Sequence, residues 1–208
     1  RATLSGGLVA RKATAGETVE ALNGKAYTLD DTMTVIADAA HVHDIGGIMG
    51  GAASGVSATT TDVLIECAYF DPDAIARTGQ KLMLTSDARQ RFERGVDPAF
   101  LDEGLSIATR LVLDHCGGTA SGVTRAGSAP LGERHYAYDP AKAETLGGLA
   151  VDPARQYEIL TSLGFHVKSL DINGQTNIVE PFDDWQVTPP TWRRDIDGPA
   201  DLVEEIIR

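Results

Sequence analysis

Arg194-Asp195-Ile196-Asp197-Gly198-Pro199-Ala200-Asp201-Leu202-Val203-Glu204-Glu205-Ile206-Ile207 reads as an amphipathic helix with an acidic face. Pro199 suits the first helical turn, where its missing N–H costs nothing. From there Asp201, Glu204 and Glu205 fall at i, i+3 and i+4, which places three carboxylates on one face. Leu202, Val203, Ile206 and Ile207 fall on the other, and Asp195 lies just upstream, within reach of the acids. Carboxylates gathered in this way repel one another unless a cation or a basic partner offsets the charge. Mg²⁺ is the natural ion, because it takes oxygen ligands. The bland alternative is a solvated face whose acids are favoured by the helix dipole.

Working back from that helix, Asp152-Pro153 opens another, with Leu160 and Leu163 expected on its inner face and Gly164 as its stop. Phe165-His166-Val167 begins a strand, Asn173-Gly174 marks a turn, and Trp185-Gln186-Val187 reads as a returning strand that Pro189-Pro190 breaks. Helix, hairpin and helix suit a small winged-helix-like α+β unit. Upstream, the Gly-, Ser- and Pro-rich stretch from Ser121 to Gly132 reads as a linker. It divides the chain into residues 1–128 and 129–208.

The first segment is expected to combine a mixed sheet with helices, so the whole chain reads as α+β. Leu8 to Arg11, Tyr27 to Leu29 after the Asn23-Gly24 turn, and Met33 to Ala37 read as strands. Val63-Leu64-Ile65-Glu66-Cys67-Ala68-Tyr69-Phe70 reads as a largely buried strand. Asp71-Pro72 and Asp97-Pro98 each open a helix. The second of these carries Leu101, Leu105, Ala108 and Val112 at helical spacing and ends at Gly117-Gly118.

At 208 residues and 42% hydrophobic composition the chain can bury real cores. No apolar run is long enough to span a membrane, and no signal peptide is evident. Arg1 is not a Met, and Arg208 falls inside an apparent helix, so a piece of a longer protein is expected. The net charge of −12 argues against autonomous DNA or non-specific RNA binding, while leaving room for a local pocket for an RNA end. Cys67 and Cys116 read as reduced, buried small hydrophobes of a cytoplasmic protein.

Several constellations carry chemistry. Gly46-Gly47-Ile48-Met49-Gly50-Gly51 lacks the spacing of a phosphate loop. It is either a tight turn between strands or a pocket wall where a ligand rests on bare backbone. Glu66, among apolar neighbours, needs a partner. An ion pair with Arg77, Arg89, Arg91 or Arg94 is one solution, and a hydrogen bond from a ligand hydroxyl is another. Ser86 and Asp87 resemble a helix cap, and no histidine lies nearby in sequence to activate Thr85 or Ser86. His41 and His43 form an H-x-H pair with no third ligand at metal-site spacing.

Taken together, four ordered motifs resemble the beta subunit of bacterial phenylalanyl-tRNA synthetase. They are Gly46 to Gly51 with Ser54-Gly55-Val56, Leu64 to Pro72, Ser86-Asp87-Ala88 with Arg91 to Pro98, and Pro190 to Asp195 with Asp201 to Glu205. The resemblance implies that residues 1–128 form most of an editing domain that hydrolyses tyrosine wrongly attached to tRNA(Phe). A synthetic pocket for phenylalanine rejects an analogue with an added hydroxyl only weakly, so a second site must clear the error. The resemblance assigns tyrosine's hydroxyl to Glu66, the pocket wall to Gly50 and Gly51, and further lining to Ser86 and Ala88. Family members usually carry Thr at the Ser86 position. No protein nucleophile is implied. The expected chemistry is a positioned water assisted by the tRNA 3′-terminal hydroxyl. The family's Q-P-x-H-A-F-D motif, whose histidine belongs to the pocket, is expected before Gly6-Gly7 and is absent from residues 1–208, so an incomplete pocket is expected here.

The same resemblance implies that residues 129–208 form the module after the editing domain, with Asp195, Asp201, Glu204 and Glu205 holding a Mg²⁺ shared with the alpha subunit. Aminoacylation and ATP binding then belong to the assembled enzyme, not to this stretch. Two rivals stand beside editing. One is a non-catalytic module that docks the alpha subunit and tRNA. The other is a metal-dependent hydrolase centred on Asp195 to Glu205.

Overall fold

A computed structural model describes residues 4–170, 176–177 and 185–208. The chain divides into two compact units, Arg1–Val96 with Phe100–Gly127, and Asp97–Ala99 with Ser128–Arg208. Helices and antiparallel sheets are mixed in both, an α+β architecture.

In the first unit, β1 (Val9–Lys12), β4 (Thr34–Ala37), β5 (Val42–Ile45) and β6 (Met49–Gly50) form an antiparallel sheet in the order β1-β4-β5-β6. A hairpin of β2 (Thr18–Glu20) and β3 (Ala26–Thr28) lies between β1 and β4 in sequence and turns at Asn23-Gly24, as expected. Alternation along β4 buries Val35 and Ala37, and β5 buries His43 and Ile45. Val35, Ala37 and Ile45 meet Val19, Leu29, Met33, Ile48, Phe70, Ile75 and Leu84 in one core. Helix α1 (Pro72–Lys81) begins as its Asp-Pro start predicts. Asp71 accepts the Ala74 N–H at 2.7 Å, with Pro72 in the first turn. The short α2 (Asp87–Phe92) follows, and its Phe92 packs edge-on against Phe70 with centroids 5.3 Å apart.

Helix α3 (Leu101–Cys116) starts later than Asp97-Pro98 suggests. Asp97 instead accepts the Ala99 N–H at 2.9 Å and caps the short turn before the helix. No residue of α3 is fully buried, and Leu101, Leu105, Ala108 and Val112 are half-buried. Gly117, at φ +71°, ends it as expected.

The run Val63 to Phe70 corrects the sequence reading. It forms no strand among the described residues, and Val63, Leu64, Glu66 and Cys67 are exposed. An apolar run becomes a strand only where a ladder partner takes up its N–H and C=O groups. This run instead lies along α3, where a Cβ on Gly104 would sit 3.3 Å from Cys67 Sγ, and it is anchored by the buried Phe70. Cys67 and Cys116 are both free and exposed, contrary to the buried positions expected of them. Proximity to a helix surface is not burial when that surface is itself half open.

In the second unit, β7 (Tyr136–Tyr138), β10 (Trp185–Thr188), β8 (His166–Leu170) and β9 (Thr176–Asn177) form an antiparallel sheet in the order β7-β10-β8-β9. The expected turn at Asn173-Gly174 lies outside the described residues. Helices α4 (Lys142–Thr145), α5 (Pro153–Ser162) and α6 (Pro199–Ile207) complete the unit. Its core gathers Tyr138, Leu160, Phe165, Trp185, Val187, Ile196, Leu202, Val203 and Ile206. Asp152 caps α5 through the Ala154 N–H at 2.9 Å, and Gly164 at φ +88° follows its end. Leu163 is 40% exposed rather than inward. Gln156 takes the inner position, accepting from the Tyr138 hydroxyl at 2.8 Å and donating to the carbonyls of Pro140 and Val151.

Candidate functional site

The glycine loop connects β5 to β6, and most of its glycines are explained by packing. A Cβ on Gly46 would lie 2.9 Å from the Phe70 ring. Gly47 sits at φ +69° against Phe70, Ile75 and Phe92. A Cβ on Gly51 would lie 2.7 Å from the His43 carbonyl oxygen, which already accepts from the Gly51 N–H and the Ser54 hydroxyl. Gly50 differs: its added Cβ would meet only the flexible Leu22 Cδ1, at 3.0 Å.

Ser86 is tied to this loop. Its hydroxyl donates to the Ile48 carbonyl at 2.5 Å and accepts from the Arg89 N–H at 3.0 Å, so it caps α2 and fastens that helix to the glycine turn. Ala88, two residues on, is exposed. Arg89 bonds Glu93 at 2.9 Å and the Leu84 carbonyl at 2.8 Å. Among the described residues Glu66 forms an ion pair with none of the four arginines considered for it.

The Glu66 charge acts on Asp44, a residue that sequence reasoning passed over. Asp44 stands on β5 between Ile36 of β4 and Gly50 of β6, so strand register places it beside the glycine loop. Its Oδ1 is shielded from solvent and has no hydrogen-bond partner among the described residues. Burial, and then the charge of Glu66, push the Asp44 carboxyl up to about 7. Glu66 is exposed as a residue, yet crowding around its carboxyl raises its pKa too. The available signal was the acid in Val42-His43-Asp44-Ile45, directly before the glycines. Its neighbours His41 and His43 drew the attention instead.

His43 faces the other side of β5. Its Nε2 lies 2.8 Å from Asp38 Oδ2 within the buried interior. Asp38 accepts the Ser5 N–H at 2.7 Å and the N–H groups of Ala40 and His41. The Ser5 N–H, then the His43 ring, hold its carboxyl well below the usual carboxylate range. His43 thus clasps a turn.

The acidic helix face has a basic partner. Arg193 donates to both oxygens of Asp195, at 2.9 and 2.7 Å, and to Glu205 Oε1 at 2.7 Å. It also lies over the Phe165 ring, 5.6 Å from the centroid. Asp201 turns back to accept the N–H groups of Asp197 and Gly198 at 2.8 and 3.0 Å, capping its own helix. Glu204 is exposed. Among the described residues no three His, Cys, Asp or Glu side chains are arranged to hold a metal ion. As arranged, the four carboxylates offer Mg²⁺ no converging ligand set. No helix among the described residues is long and apolar enough to cross a membrane.

These two units correspond to two known domain families in series. Residues 1–117 match the B3/4 domain and residues 136–208 match the tRNA synthetase B5 domain. The chain is 59% identical over 207 residues to the phenylalanine–tRNA ligase beta subunit of Novosphingobium aromaticivorans, covering all of this chain and 24% of that protein. It is 51% identical to the corresponding subunit of Zymomonas mobilis over 99% of this chain and 24% of that protein, and 45% identical to that of Cereibacter sphaeroides over 100% and 24%. The second of these families is a tRNA synthetase domain. The chain belongs to the phenylalanine–tRNA ligase beta subunit family. It spans about a quarter of the length of these relatives.

Proposed function

We propose that residues 1–128 serve post-transfer editing, the hydrolysis of tyrosyl-tRNA(Phe), in a cytoplasmic aminoacyl-tRNA synthetase. What supports this reading is the shielded, unpartnered Asp44 Oδ1 in strand register with Gly50, together with the effect of the Glu66 charge on the Asp44 carboxyl. A shielded carboxyl oxygen without a protein partner is poised for a ligand that hydrogen-bonds it. Gly50 leaves backbone bare beside Asp44. Ser86 supports the pocket indirectly, by fixing the glycine turn. The attacking group in this reading is a positioned water, aided by the tRNA 3′-terminal hydroxyl.

For residues 129–208 the proposed role is contact with an alpha subunit. Arg193 gathers Asp195 and Glu205 into an ordered edge beside α6, which favours a structural role for this segment. A Mg²⁺ shared with that subunit would need Arg193 to give way, and no step here is routed through it.

The test is deacylation of preformed tyrosyl-tRNA(Phe) by the full-length subunit assembled with its alpha partner. Editing at this site predicts rapid hydrolysis that Glu66→Ala slows, with phenylalanyl-tRNA(Phe) spared by the unmodified enzyme. Equal hydrolysis by both forms would remove Glu66 from the reaction and leave docking as the better reading.

A further inference from the structure

His43 stands where β4 and β5 fall out of step. Val42 pairs with Ala37 and Asp44 with Ile36, so His43 is the extra residue of a bulge. A bulge re-aims the side chain it carries. Here the ring turns into the interior, with its Nε2 2.8 Å from Asp38 Oδ2. Asp38 is a hub whose side chain is fully shielded. Its Oδ2 also accepts the Ser5 N–H at 2.7 Å, and its Oδ1 accepts the N–H groups of Ala40 and His41 at 2.7 and 2.8 Å. Ser5 is pinned a second time, because its carbonyl accepts the Ala39 N–H at 3.0 Å.

The backbone of the same histidine meets the glycine loop. The His43 carbonyl accepts the Gly51 N–H at 2.7 Å and the Ser54 hydroxyl at 2.9 Å. The approach is so close that a Cβ on Gly51 would lie 2.7 Å from that oxygen. His43 therefore joins the turn at Ser5, through its ring and Asp38, to the glycine loop, through its carbonyl.

We infer that Asp38 and His43 are positioning residues of the editing site, which set where the Gly51 end of the glycine wall sits relative to the turn at Ser5. The inference rests on the editing reading and adds to it residues that touch no ligand. A shielded carboxylate shared among several backbone N–H groups has few orientations in which all of them are paired. Ring and carboxylate thus hold the bulge in one geometry, and the His43 carbonyl passes that geometry to Gly51. A wall displaced by about 1 Å misplaces the ester against its attacking water and costs about 100-fold in rate. Binding of the tRNA elsewhere on the enzyme is untouched, so the loss falls on kcat and spares KM.

The experiment measures kcat and KM for hydrolysis of tyrosyl-tRNA(Phe) by the full-length subunit assembled with its alpha partner, alongside phenylalanine charging by the same preparations. Asp38→Asn turns an acceptor oxygen into a donor. It should lower kcat about 10- to 100-fold, with KM within about twofold and charging unchanged. His43→Leu should do the same. His43→Gln, whose amide N–H can stand near the Nε2 position, should restore kcat to within about threefold of the unmodified enzyme. If Asp38→Asn does not assemble, the two His43 variants decide. An unchanged kcat in His43→Leu overturns the inference, as does a His43→Gln enzyme no faster than His43→Leu. A parallel loss of charging also overturns it, because the pair would then hold the whole enzyme rather than the wall. Each of these results leaves editing intact where Glu66→Ala still slows hydrolysis. Hydrolysis indifferent to Glu66→Ala overturns the editing reading and the inference with it.

Discussion

Ser86 and Ile48 are joined by a hydrogen bond of 2.5 Å, hydroxyl to carbonyl, across 38 residues of sequence. Because the same hydroxyl caps α2, the first turn of that helix and the glycine loop are held as one piece. Replacing Ser86 by Ala removes both bonds. A loss of about 1–2 kcal/mol in folding stability is expected, read as a lower urea midpoint. Ser86→Thr keeps the hydroxyl and should stay near the original midpoint. Equal midpoints for Ser86→Ala and the unmodified chain would show that the loop is held otherwise.

Gly50 and Gly51 are neighbours with different requirements. Gly51→Ala sets a Cβ against the His43 carbonyl at 2.7 Å, where backbone must move, and should cost about 1–3 kcal/mol. Gly50→Ala meets only the end of the Leu22 side chain and should be tolerated. Denaturant titration of the two variants separates them, and the reverse order of stability would contradict the packing described.

Arg193 bridges Asp195 and Glu205, and the Glu205 side chain is only 11% exposed. Arg193→Leu strands that carboxylate and removes the contact over Phe165, so a loss of about 2–4 kcal/mol is expected. Adding Glu205→Leu to Arg193→Leu should recover part of the loss, since the two sites are coupled. The arginine also holds the Asp195 carboxyl below its ordinary pKa. A group depressed in the folded state stabilises above its unfolded pKa of about 3.9 and loses that contribution as pH falls through the folded value. Acid unfolding should therefore begin at higher pH once Arg193 is replaced.

Asp44 has the opposite sign. Its carboxyl is raised from the usual carboxylate range to about 7 in the folded chain. Its contribution is fully present below about pH 3.9 and is lost as pH rises to about 7, because the unfolded chain releases the proton first. Asp44→Asn should flatten stability across that window. Urea midpoints at pH 5 and pH 8 measure it. An unchanged difference between the two pH values would mean that Asp44 is ionised in the fold throughout.

Local chemistry was legible in the sequence, and long-range pairing was not. Asp71-Pro72 and Asp152-Pro153 announce α1 and α5 because a cap and a preset φ lie within a few residues. Pro199 and the apolar stripe of Leu202, Val203 and Ile206 announce α6 for the same reason. The run Val63 to Phe70 looked like a strand because composition records apolarity and says nothing of a ladder partner. Asp44 was missed because its alignment with Ile36 and Gly50 depends on strand register, which no local window contains. The acids near α6 were read as needing a cation or a basic partner, and Arg193 supplies one to Asp195 and Glu205. Glu66 was singled out from its apolar surroundings, and the structure adds the shielded Asp44, whose carboxyl feels the Glu66 charge.

Accumulation of tyrosyl-tRNA(Phe) during charging with tyrosine and ATP most directly measures editing at Glu66. With the full-length assembled enzyme, the unmodified form should leave little tyrosyl-tRNA(Phe), because the ester is cleared as it forms, and Glu66→Ala should let it build up. The same low level in both forms, with tyrosine activation intact, would contradict editing through Glu66.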